Sequence, residues 1–92
     1  MWKYIEVGIA GKDLGSDYPS LVKELALSLG IVGALGFKSD GSIKIAAEGE
    51  EANLMDFAGK LEKGNPLTPI ENFYVNWHEP EEGLGGFYLI TN

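Results

Sequence analysis

Apolar and polar positions alternate strictly from Tyr4 to Ala10, with Ile5, Val7 and Ile9 on one side and Glu6 and Gly8 on the other. A period of two predicts a half-buried strand. The period changes after Pro19: Leu21, Val22, Leu25, Ala26 and Leu29 recur at helical spacing. Pro19 suits the first turn of such a helix, where its missing N–H costs nothing. Asp17 is the better capping residue before it, and Gly30 stops it. Residues 31–37 read as a second strand, loosened by Gly33 and Gly36. Asp40-Gly41 is a hairpin signal, and residues 42–47 alternate again until Gly49. Residues 50–61 are helical, with Leu54, Phe57, Ala58 and Leu61 on one stripe. Glu50 and Glu51 favour that helix's N-terminus, and Lys60 and Lys63 its C-terminus. Gly64-Asn65-Pro66 ends it. Residues 70–78 form another strand, with Phe73, Val75 and Trp77 on one side. Residues 80–86 are a turn-rich connection to a short last strand over 87–91.

The predicted order is therefore β-α-β-β-α-β-β. Two strand–helix–strand halves joined by a hairpin describe a ferredoxin-like α+β sandwich with an extra short C-terminal strand. Two helices are expected on one face of an antiparallel sheet. At 92 residues the chain is one domain, residues 1–92, by size. With 45% apolar residues it can bury a core.

Charge narrows the partners. Fourteen acidic residues against seven lysines, with no arginine, give a net charge of −7. Nucleic acid and anionic membranes both need clustered basic residues, so neither is an expected partner. Without cysteine there is no disulfide, thiolate catalysis or Cys-ligated zinc. No apolar run approaches the ~18 residues of a membrane span, and no apolar leader follows Met1, so a cytoplasmic chain is expected.

Residues Gly11, Lys12, Asp13, Leu14, Gly15 and Ser16 join the first strand to the first helix. A glycine-containing loop at a helix N-terminus is built to cradle an anion, because backbone N–H groups converge there and the helix dipole adds positive potential. Asp13 and Asp17 oppose that reading by charge.

The run from Leu29 through Gly30, Gly33, Asp40-Gly41 and Ile43-Lys44-Ile45 to Glu48-Gly49 resembles the acylphosphatase family. So do Phe57, Leu61, Gly64 and Pro66, and then Trp77, Glu79, Pro80 and Gly86-Phe87-Tyr88-Leu89. The resemblance implies metal-independent hydrolysis of acyl phosphates. It implies a first loop that reads roughly Gly-x-Val-Gln-Gly-Val-x-x-Arg, whose amides and arginine hold the phosphate. It also implies an asparagine at the end of the second strand that positions water. Without gaps, Gly11 and Gly15 match the loop glycines, but Pro19 stands at the arginine position and Phe37 at the asparagine position. Phosphoryl transfer is mostly positioning and charge stabilisation, and loss of one such donor typically costs about 10²–10³ in rate. The expectation is a divergent, inactive acylphosphatase-like domain that binds a small anion or a protein, with no catalytic residues and no cofactor. The alternatives are an acylphosphatase that uses Lys12 or Lys38 as substitute cations, and a structural or oligomerising domain.

Other residues carry less. Asp13, Asp17 and Asp40 match no calcium-loop spacing and are read as solvated, capping and hairpin residues, so no metal site is expected. His78 has no second ligand or nucleophile at recognisable spacing, and Ser16 has no base in sequence reach. Tyr4, Tyr74 and Tyr88 fall on the sheet face opposite the predicted helices. They are candidates for a protein contact or a weak homodimer; otherwise the chain is a monomer.

Overall fold

The computed structural model describes residues 1–11, 17–63, 70–80 and 86–90. Its elements follow the order β1 (Trp2–Ala10), α1 (Tyr18–Ser28), β2 (Val32–Phe37), β3 (Ile43–Glu50), α2 (Glu51–Lys63), β4 (Asn72–His78) and β5 (Phe87–Ile90). The strands form one sheet in the order β4-β1-β3-β2-β5. The two helices cover one face, as expected, and the sandwich is α+β.

The core is the alternation read from sequence, now closed over by helices. Ile5, Val7 and Ile9 of β1, Leu35 of β2, and Ile43, Ile45 and Ala47 of β3 are buried against Val22 and Ala26 of α1 and Leu54, Phe57 and Leu61 of α2. Phe57 meets Phe87 edge-on, with ring centroids 6.4 Å apart. Burying a side chain of this size contributes roughly 2–3 kcal/mol. The α1 helix ends at Ser28, and Gly30 follows at φ 67, a conformation that glycine adopts without cost. Ile31 N then bonds back to Ala26 O at 2.9 Å.

Three expectations are corrected. The sheet is mixed rather than antiparallel, because β5 runs parallel to β2, with Ala34 opposite Tyr88. β5 therefore enters the sheet from the same end as β2. Gly49 does not end β3, which runs on to Glu50 because Trp2 and Lys3 of β1 pair with Glu50 and Gly49. Met1 O, just before β1, then accepts a bond from Glu51 N at 2.9 Å and satisfies a donor at the start of α2. Asp17 does precede α1, but in a helical conformation and without a side-chain capping bond among the described residues. Leu21 N bonds to its carbonyl instead, at 3.1 Å. The expected Gly64-Asn65-Pro66 stop lies outside the described residues.

Candidate active site at the α1 N-terminus

Strand register brings the end of β1 and Phe37, at the end of β2, to one end of the sheet. Ile9 lies opposite Ile43, and Ile43 opposite Phe37. With strands about 4.8 Å apart, the end of β1 and the end of β2 lie about 10 Å from one another across β3. Gly11 follows β1 there and is partly buried. Lys12, Asp13, Leu14, Gly15 and Ser16, five of the six cradle candidates, lie outside the described residues.

Pro19 is buried in the first turn of α1. It offers no side-chain donor, and as proline it also removes a backbone N–H from the helix end, where an anion would be held. Phe37 closes β2 with its ring 43% exposed. It is an apolar surface where a water-positioning group would need a donor and an acceptor. Between them the two positions supply no polar side-chain atom.

Lys38 and Asp40 stand just beyond the end of β2. Lys38 is exposed, its N–H donates to Ser42 O at 2.8 Å, and its ammonium charge lies near the Asp40 carboxylate. Asp40 accepts bonds from Ser42 Oγ at 2.6 Å and Ser42 N at 2.9 Å. These bonds, with help from Lys38, hold its carboxyl below the usual range. Asp40 is thus a turn residue, as its place beside Gly41 suggested.

Sequence reading missed Tyr18. It is 6% exposed, packs into the core, and its hydroxyl finds no hydrogen-bond partner among the described residues. Burial pushes its pKa up. The only prior signal was an aromatic residue at the start of an amphipathic helix.

On the sheet's other face the tyrosines do not make one patch. Tyr74 stands on β4, where its ring covers Gly8, and Tyr88 stands on β5 at the opposite edge. Tyr4 lies near Tyr74's edge and meets His78 edge-on at 5.7 Å. Between them Glu6 contacts Lys44 at 3.4 Å and His78 at 3.6 Å. Glu48 is on this face too, and only 2% exposed, with Oε1 unpartnered among the described residues. Its burial comes from strands far away in sequence.

A five-stranded sheet backed on one face by two helices defines an acylphosphatase-like sandwich. The acylphosphatase family model matches residues 6–89, and the chain belongs to that family. It is 32% identical over 79 residues to the acylphosphatase of Thermotoga petrophila, covering 86% of this chain and 88% of that one. It is 39% identical over 62 residues to the acylphosphatase of Leuconostoc mesenteroides, covering 67% and 69%. The crystal structure of acylphosphatase from Bacillus subtilis superposes with a TM-score of 0.87 at 24% identity, over 99% of this chain and 100% of that one.

Proposed function

We propose that this chain is an acylphosphatase-family domain that does not hydrolyse acyl phosphates and acts as a binding module for a small ligand or a protein. One observation carries the reading. Set without gaps in the register of the family resemblance, Pro19, which is buried, and Phe37, which is half-exposed, stand at the arginine and asparagine positions. Arginine grips a phosphoryl group through a bidentate fork. Neither a proline ring nor a lone lysine reproduces that grip, and the chain has no arginine to substitute from elsewhere.

The competing reading is an acylphosphatase with a non-standard site, in which Lys12 or Lys38 supplies the charge. The names of its relatives favour it.

Hydrolysis of benzoyl phosphate by the purified chain separates the two. A binding module leaves the spontaneous rate unchanged. Turnover at an ordinary enzymatic rate of about 1 s⁻¹ or more overturns the proposal.

A further inference from the structure

The two edges of the sheet differ. β5 has four residues, short enough to be a poor template for pairing. β4 has seven, Asn72–His78, and its outer side pairs with no strand among the described residues. Edge strands are ordinarily guarded by lysine, proline, inward charge or a bulge. The sequence Asn-Phe-Tyr-Val-Asn-Trp-His has no proline, aspartate, glutamate or lysine. Its full length, roughly 23 Å at 3.3 Å per residue, is, among the described residues, an open row of backbone donors and acceptors.

That edge borders an apolar groove. On the helix side of the sheet, between α2 and the end of β4, Trp77 is 45% and Met55 59% exposed. These two side chains separate a hollow of about 620 Å³ from a second of about 390 Å³, which extends along Ala58, Phe73 and Val75. The rim is acidic. Glu51, Glu62 and Glu79 line the two hollows, and Lys3, their one lysine among the described residues, lies 3.6 Å from Glu79.

Charge selects the occupant. A second copy paired antiparallel to β4 about Val75 would set Phe73 against Trp77, a favourable aromatic pair. It would also set Glu71 against Glu79 at both ends, between molecules that each carry −7. Like charges directly opposite destabilise a strand pair. A strand with basic residues at those two places, eight positions apart, turns both repulsions into ion pairs and keeps the apolar contacts.

We propose that the outer edge of β4, with the α2–β4 groove, docks an extended segment of a partner protein that has apolar residues at alternate positions and lysine or arginine at each end. Main-chain bonds to β4 supply the affinity, and the groove selects the alternate side chains. Catalytic competence at the other site is irrelevant to this surface.

The test uses the probe peptide Lys-Thr-Val-Thr-Val-Thr-Val-Thr-Lys against the whole chain, followed by amide NMR and hydrogen exchange. The expected result is shifted and slowed amides over 71–79, with binding weakened about tenfold or more by Trp77→Ala. A peptide with Glu at both ends should bind at least tenfold more weakly. The surface variant Glu71→Lys/Glu79→Lys, in which both changed residues are exposed, should reverse that preference. Four results overturn the proposal: no change over 71–79 at about 1 mM peptide, binding indifferent to end charge, an unreversed preference in the double variant, or a stable homodimer that protects β4 in light scattering and exchange.

Discussion

Gly33→Ala tests the register that carries β2, and Phe37 at its end, into place. Gly33 lies opposite Ala47 on one side and Phe87 on the other, and its N–H donates to Gly86 O at 2.6 Å. A methyl group there would run into the carbonyl oxygen of Ala46, with Ala47 Cα 2.9 Å away. Both obstacles are backbone of the central sheet and cannot swing aside as a side-chain tip does. Overpacking of this kind costs roughly 1–3 kcal/mol, and an unyielding neighbour puts it near the upper end. The φ of 153° adds conformational strain of about 1–2 kcal/mol for any residue with a Cβ. The sum is roughly 3–5 kcal/mol. A chain of 92 residues is expected to have about 5–14 kcal/mol of stability. The variant should therefore fold marginally, with its urea midpoint lowered by roughly 2–4 M at an m-value near 1.3 kcal/mol/M. Two controls separate crowding from strain. Gly30, at φ 67, and Gly59, within α2, have open space where a Cβ would go. Gly30→Ala should cost about 1 kcal/mol, while Gly59→Ala should add about 0.5–1 kcal/mol through helix propensity. If Gly33→Ala melts within 1 kcal/mol of the parent, or together with Gly30→Ala, the register of β2 is wrong.

Other perturbations read single groups. Tyr18→Phe removes a buried hydroxyl without a described partner, so stability should hold or rise by up to about 1 kcal/mol; a loss of more than 1 kcal/mol in a urea melt would reveal a hidden bond. Because burial raises the Tyr18 pKa, the folded state holds its proton after the unfolded chain has lost it. Stability should therefore fall as pH rises above about 10, a fall that Tyr18→Phe removes in alkaline thermal melts. Asp40 has the opposite sign: its lowered pKa gives a contribution present at neutral pH and lost as pH falls through the folded value. Asp40→Ala should flatten the acid side of the Tm profile, and an unchanged profile would deny the Ser42 bonds any role in folding.

Much of the fold was legible because local rules and packing agree. The alternation in β1 and β3 marked their buried sides, and the stripe Leu54, Phe57, Leu61 marked the face of α2. The direction of β5 was not legible. Whether a last strand runs parallel or antiparallel depends on which end its connection crosses, and residues 80–86 carry turn chemistry without direction. The extension of β3 through Gly49 was hidden because glycine reads as a stop. Here it leaves room for Ile31, whose Cγ1 would lie 3.2 Å from an added Cβ. Glu48 reads as solvated surface in any sequence window, yet the strands that flank it bury it. At the candidate site, the expectation at Pro19 and Phe37 came from the family resemblance, set in register without gaps from Gly11. That Phe37 stands at the same end of the sheet as the end of β1 needed the pairings of β1 and β2 with β3. The edge groove was missed because Glu71 and Glu79 only gain meaning once β4 is known to be an edge.

The central claim is that the scaffold has been kept while its phosphoryl chemistry has been replaced. Benzoyl phosphate hydrolysis by the parent chain, measured beside Pro19→Arg/Phe37→Asn, addresses it most directly. The parent should leave the spontaneous rate unchanged, while the double variant, with the fork and the amide restored, should hydrolyse measurably faster. Turnover by the parent at about 1 s⁻¹ or more, equal to or above that of the variant, would contradict the account.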